Sequence, residues 1–199
     1  SQSISAITGI RVDEFSDFGR ATSPRVGFTW QWTKQTHFKA MYSEAFNPPA
    51  FLSLYDQTVT DRNESRQYGN PNLDSATIKT TELLYGYQLN DRIFTQVTVF
   101  AAQTSGEVSF DGSSEQYKNE GERQTRGIEL ELKGVWESFN IWCHYGYNDA
   151  KKGSGTGAPL YPKHMFNLGI SSQPWDFLEF AGNYSFRAKM RREAEDIRP

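Results

Sequence analysis

Two glutamates spaced two apart, Glu129 and Glu131 in "GIELELK", form the pair in this sequence whose spacing invites acid–base chemistry. On a β-strand such residues share a face and sit about 6–7 Å apart, close to the separation of paired glycosidase carboxylates. No aromatic subsite or pocket-forming segment accompanies them, so the chain reads as a non-enzyme. Its three His and one Cys are scattered, without CxxC or HExxH spacing, so neither a metal site nor a cofactor is assigned. Cys143 stands alone and reads as a packing residue. His164, after Pro162, reads as a strand-start residue and not as a metal ligand. Recognition chemistry concentrates instead in the polar stretch 47–75, where Tyr55, Arg62, Arg66 and Tyr68 combine guanidinium groups with aromatic rings. Guanidinium pairs with anionic oxygens, and aromatic faces stack on flat or cationic ligands. The competing reading of these four residues is a solvated loop.

What must position them is a sheet. Hydrophobic residues make up only 37% of the 199, yet 14 Phe, 10 Tyr and 5 Trp bring aromatics to 15%. Disordered chains are poor in aromatics, whereas a sheet with one apolar and one wet face suits both figures. The net charge of −3 gives no footing for nucleic acid. The chain opens on a polar, alternating segment unlike a signal peptide, and no stretch approaches the roughly 20 apolar residues of a membrane helix. A closed β-barrel, whose signal per segment is weak, is not excluded by that.

Period-2 alternation runs throughout. Val26, Phe28, Trp30 and Trp32 share one face of "VGFTWQW"; Leu83, Tyr85, Tyr87 and Leu89 share one face of "ELLYGYQL". Ile128, Leu130 and Leu132 repeat the pattern, as do Ile141, Cys143, Tyr145 and Tyr147, and then Phe166, Leu168 and Ile170. None of these runs returns apolar residues at helical spacing. The chain is therefore all-β, an antiparallel up-and-down sheet of about nine strands, near 4–13, 24–33, 36–46, 76–89, 91–109, 115–135, 138–149, 164–173 and 177–190. Short connections near 33–35, 90–91, 137–138 and 174–176 alternate with long polar ones at 14–23, 47–75, 105–120 and 150–163. A membrane barrel puts tight turns at one end and long loops at the other. Trp30, Trp32, Trp136 and Trp175 all fall near the short turns, where an aromatic belt would sit, although a sandwich core would also use them. Pro48 and Pro49 in "MYSEAFNPPAF" must end a strand, since proline cannot donate to a ladder.

These motifs resemble the barrel of TonB-dependent outer-membrane receptors. "YSEAFNPPAFLSLY" with Phe46, Pro48 and Pro49 is followed by "YGNPNL" with Gly69, Asn70, Pro71, Asn72 and Leu73. Then come "YKNEGERQTRGIELEL" with Asn119, Gly121, Gly127 and Glu129, "YGYNDAK", and "LYPKHMFNLGI" with Pro162 and His164, all in the family's order. The family's usual Arg is here Asn47, and its Lys-Pro-Glu is here Asp74, Ser75 and Ala76.

The resemblance implies an incomplete segment of a barrel of about 22 strands, with 1–199 a partial barrel domain lacking plug, TonB box and closing strand. It implies a Gram-negative outer-membrane receptor for a scarce ligand, foremost a ferric siderophore, with cobalamin, haem or glycan as other cargo. Its implied partners are the inner-membrane TonB complex, acting through the plug region, and the membrane's lipid and lipopolysaccharide. A porin or autotransporter, or a soluble carbohydrate-binding β-sandwich, remains open on the residues alone. The membrane reading makes one sharp demand: Phe28, Trp30, Leu83, Tyr85, Ile128, Leu130, Ile141 and Leu168 must all face outward on one continuous sheet. By parity Glu129, Glu131 and Lys133 then line the other face with Gly127, Gly146 and Gly169, as structural salt-bridging and space-relieving residues.

Overall fold

Alternating segments become nine long strands: β1 (Ser3–Phe15), β2 (Gly19–Gln31), β3 (Thr36–Asn47), β6 (Ala76–Asn90), β7 (Ile93–Asp111), β8 (Gln116–Val135), β9 (Phe139–Lys152), β10 (His164–Trp175) and β11 (Leu178–Arg187). Between β3 and β6 lie three short elements, α1 (Phe51–Tyr55), β4 (Gln57–Thr60) and β5 (Ser65–Tyr68). The structure is a computed structural model describing residues 2–17, 19–60, 65–153 and 161–190, with the backbone alone described at 58–60, 65 and 66. The long strands pair antiparallel in the order β1-β2-β3-β6-β7-β8-β9-β10-β11. Among the described residues β1 and β11 have one strand partner each, so the sheet is not closed.

The expected strands are all present, and two expected loops are corrected. The polar segment 14–23 holds a turn at Ser16 and Asp17 between strands that run to Phe15 and restart at Gly19. The segment 105–120 is likewise strand up to Asp111 and again from Gln116. Ladder hydrogen bonds continue there after the hydrophobic alternation stops, which is what strands rising clear of an apolar layer do: both faces become polar while the backbone still pairs. The long connection at 47–75 is also more structured than a loop, since it holds a helical turn and a hairpin.

Register settles which side chains share a face. Ile4, Trp30, Phe38, Tyr85, Val97, Leu130, Tyr145, Phe166 and Phe186 are successive cross-strand partners, one from each long strand, and all are apolar or aromatic. The neighbouring rows carry Phe28, Leu83, Ile128, Ile141 and Leu168 on the same face. All eight residues of which one face was demanded therefore share it. On β6, β7 and β8 that apolar face is also the more exposed one: on β6, Leu83 (54%) and Tyr85 (40%) are open while Glu82 and Leu84 are half covered. In a sandwich the exposures would be reversed, with the apolar row between two sheets.

The opposite face is mixed and partly self-covering. Glu129 lies 3.9 Å from His144, and rings fold over its glycines. A Cβ on Gly86 would meet the His37 ring at 2.1 Å, one on Gly169 the Trp142 ring at 2.2 Å, and one on Gly127 the Phe100 ring at 2.5 Å. Gly146, by contrast, has ordinary room. At the short-turn end Trp30, Trp32 and Phe38 cluster with centroids 5.7–6.1 Å apart, and Trp136–Phe139 and Trp175–Phe177 pair at 5.7 and 6.1 Å. The tryptophans expected near those turns thus lie there, in one cluster and two pairs of rings.

Candidate functional site

The connections 16–18, 48–75, 112–115 and 153–163 all leave the same end of the sheet, and the sequence motifs converge there. Pro48 and Pro49 end β3 and feed α1, whose five residues are too few to hold themselves as a helix in water. Tertiary contacts hold it instead. Leu54 is 1% exposed and Leu73 2%, with Pro49 and Ala76 buried beside them, so "NPPAFLSL" and "YGNPNL" make a small apolar core above the strands.

Hydrogen bonds then knot three motifs together. Gly69 N–H donates to Asp56 O (2.7 Å) and Asn70 N–H to Ser53 O (2.8 Å), tying "YGNPNL" to α1. Asn70 Nδ2 donates to Tyr117 O (3.0 Å), while its Oδ1 accepts from the Asn72 N–H (3.0 Å). From "YKNEG", Asn119 Oδ1 accepts the Asp74 N–H (2.9 Å), and its Nδ2 donates to Asp74 O and Gly106 O (2.8 Å each). One side chain thus satisfies three backbone groups of segments far apart in sequence. Gly121 faces a bulge: Gly106 has φ +73, and a Cβ on Gly121 would stand 2.5 Å from Glu107 Cβ. The bulge aims Glu107 across to Arg123, which also binds the Tyr161 hydroxyl and lies over its ring, 5.1 Å from the centroid. His164 begins β10, as expected, with Nδ1 2.9 Å from the Tyr145 hydroxyl.

The four residues singled out for recognition separate. Arg62 lies outside the described residues, and Arg66 sits on β5, where the backbone is described, opposite Val59. Tyr68 is exposed, with its N–H donated to Glu115 O (2.9 Å), and Tyr55 donates its hydroxyl to Asp17 Oδ1 (2.7 Å). That bond ties α1 to the β1–β2 turn. The structure therefore does not bring the four into one described cluster. It gathers a group that the sequence did not single out: Glu107, Arg123 and Tyr161, with cavities of about 550 and 560 Å³ on either side of Glu107. Pro48, Pro49 and Ser53 line the first, and Lys152 and Glu122 the second. The signal that could have found it is a glycine on each of two paired strands, Gly106 unpaired in the ladder and Gly121 opposite Glu107, which marks a bulge. Among the described residues no three His, Cys, Asp or Glu are grouped to hold a metal ion.

Two acidic groups at this end are held charged. Lys118, with Ser113 and Ser114, keeps the Asp111 carboxyl far below the ordinary carboxylate value. The hydroxyls of Tyr55 and Ser16 lower Asp17, and Asp17 in turn raises Tyr55. An acid lowered by folding stabilises above its ordinary value of 3.8 and loses that contribution as pH falls through the folded value. A Tyr raised from 10.0 contributes below that value and loses it as pH rises. The Tyr55–Asp17 tie is therefore complete between these limits. In Tyr55→Phe, hydrogen exchange at the Leu54 and Asp56 amides is expected to accelerate severalfold at neutral pH. After correction for intrinsic rates, the wild type should approach the variant in acid. Equal rates at neutral pH would show that the tie does not hold α1.

The family model described as TonB-dependent receptor-like β-barrel matches residues 2–196. The chain belongs to the TonB-dependent receptor family. Relatives of this receptor chain include the iron-regulated outer membrane virulence protein of Vibrio cholerae, 26% identical over 91% of the chain and 31% of its own length. Another is the vitamin B12 transporter of the same organism, 25% identical over 79% of the chain and 24% of its length. The chain thus spans under a third of the relatives it matches. Among solved structures, the siderophore receptor PirA of Acinetobacter baumannii superposes with a TM-score of 0.77 at 17% identity, covering 92% of the chain and 31% of that one. The ferric enterobactin receptor of Pseudomonas aeruginosa gives 0.76 at 16% identity, covering 94% and 30%. At these identities the structures establish the shared barrel fold.

Proposed function

We propose that the chain is part of the wall and mouth of an outer-membrane receptor in a Gram-negative bacterium, which imports a scarce ligand, foremost a ferric siderophore. The observation that carries this is the exposed apolar face: nine paired strands present one oily surface, with aromatic rings at the short-turn end. Such a sheet needs lipid on that side, and its two open edges need further strands, because unpaired backbone in hydrocarbon costs several kcal/mol per group. The segment is therefore one stretch of a longer closed barrel. Its mixed polar face lines the lumen, and the mouth built on Glu107, Arg123 and Tyr161 is where ligand enters. Arg123 and Tyr161 suit anionic, catecholate-like oxygens and a flat chelate; the exposed Tyr68 adds an aromatic ring from the 47–75 connection. Uptake draws on the TonB complex, acting through a plug domain of the whole protein. No chemical step is assigned to this receptor.

The iron-regulated relative and the siderophore-receptor neighbours support iron; the vitamin B12 transporter supports cobalamin as the alternative cargo. The test is uptake of radiolabelled iron by a bacterium whose only siderophore receptor is the whole protein, with catecholate and hydroxamate chelates and labelled cobalamin supplied in parallel. Energy-dependent accumulation of iron is expected, lost when the proton gradient is collapsed. Accumulation of cobalamin alone would replace the cargo, and no accumulation of any of them would overturn the uptake reading.

A further inference from the structure

Where the apolar face ends toward the loops, its outer surface becomes basic at one place. Register puts Tyr42, Thr81, Ala101, Arg126 and Asp149 in one row of cross-strand partners, directly above the apolar row of Ala40, Leu83, Val99, Ile128 and Tyr147. The next row up holds Glu44, Lys79, Gln103, Gln124 and Lys151. Polar residues begin at Lys79 and Gln103 on β6 and β7 but one row lower, at Arg126, on β8. A level boundary crossing tilted strands makes that step.

Thr81 and Ala101 are small, so the surface sinks between Tyr42, Lys79 and Arg126 into a depression of about 320 Å³, with Gln103 and Gln124 on its rim. The charges around it are unequally matched. Asp149 is already flanked by Lys151 and Lys163, each at 3.5 Å. Glu44 accepts the Tyr42 hydroxyl at 2.5 Å and reaches Lys79 only at 4.0 Å. Glu122 is further up, beyond Gln124. Arg126 is exposed and makes no ion pair among the described residues. Lys79 and Arg126, two strands and one row apart and so about 12 Å from each other along the backbone lattice, therefore present cationic donors with an apolar wall immediately below them.

We propose that this depression binds the phosphorylated headgroup of lipid A, the outer-leaflet glycolipid. The two cations take phosphate, Gln103 and Gln124 hydrogen-bond the sugar, and the acyl chains descend over Ala101, Val99 and Leu83. This rests on the outer-membrane reading above. It goes beyond it in naming a lipid site on the outer wall, away from the ligand mouth.

The test uses the whole receptor. Membranes are first fractionated, then the receptor is purified and exchanged into nanodiscs containing lipid A, phosphatidylglycerol or phosphatidylcholine, and retained lipid is measured by native mass spectrometry. The paired variant Lys79→Gln/Arg126→Gln is compared with Lys39→Gln/Lys133→Gln, which removes equal charge from the opposite face. Heat-modifiable gel mobility verifies folding of each. At about fivefold per cationic contact, the outer pair should lower lipid A retention about twentyfold, while the inner pair leaves it unchanged and ligand uptake persists in the outer pair. Unchanged retention in the outer variant, or equal loss in both, overturns the site. Equal retention of phosphatidylglycerol, or displacement of lipid A by millimolar inorganic phosphate, overturns the lipid A assignment. A receptor absent from the outer-membrane fraction overturns the earlier reading together with this one. A correctly located receptor with unaffected lipid A overturns this one alone.

Discussion

Val99→Arg is expected to destabilise the receptor in a bilayer by about 2–4 kcal/mol, whereas Thr98→Arg is expected to be tolerated. The two residues are neighbours on β7, a strand paired on both sides. Val99 faces out, between Leu83 and Ile128 as cross-strand partners; Thr98 faces in, between Leu84 and Glu129. Val99 lies four residues below Gln103, where the outer surface turns polar, so about 13 Å of strand separates its side chain from that boundary. A cation there meets the middle of the apolar layer, where Arg on the lipid face of a barrel costs about 2–4 kcal/mol. Thr98→Arg gains the carboxylate of Glu129 as a neighbour in a wet lumen, and its effect should stay within about 1 kcal/mol. Folding of the whole receptor into lipid vesicles under a urea series measures both. Equal losses would mean that the two faces are not distinct solvents, and the membrane reading would go with them.

That contrast is legible in the sequence because a period of two needs only a difference between the faces, and here it is a difference between oil and water. Nine strands, four short turns and the single face shared by Phe28, Leu83, Ile128 and Leu168 follow from it. The same logic explains what was not legible. Above the apolar layer both faces are wet, the alternation vanishes, and the continued pairing of Glu14 with Arg20 or of Val108 with Asn119 leaves no trace in residue type. The recognition residues were harder still. Tyr55 reads as a ring available to ligand, but its hydroxyl is engaged by Asp17, 38 positions away. Arg123 reads as one more lumen charge until the Gly106 bulge brings Glu107 to it. Contacts made by loop geometry have no period to read.

The motif residues are then better understood as the joinery of the mouth, and Gly69 shows how tightly it is made. Its φ is not in the left-handed region, so the glycine is not there for conformational freedom. It is there for room. A Cβ at this position would stand 2.5 Å from Leu54 O, 2.5 Å from Tyr55 N and 2.6 Å from Asp56 N, and all three are backbone atoms at the end of α1. No rotamer change can relieve those contacts, so Gly69→Ala must push "YGNPNL" off the helix. Doing so strains the Gly69–Asp56 and Asn70–Ser53 hydrogen bonds and opens the Leu54–Leu73 core. Overpacking of this kind costs about 1–3 kcal/mol, and it falls on a five-residue helix and a hairpin of two four-residue strands. The 48–75 segment is expected to loosen while the strands below it, anchored by their own ladders, stay paired. Limited proteolysis of the whole receptor should show new cleavage confined to 50–75, with ligand affinity reduced and the barrel's heat-modifiable mobility intact. Gly112→Ala, with nothing within 4 Å of its added carbon, serves as the control and should cleave like the wild type. A Gly69→Ala receptor as protease-resistant as that control would show that the motif's glycine is not the joint holding the loop over the mouth.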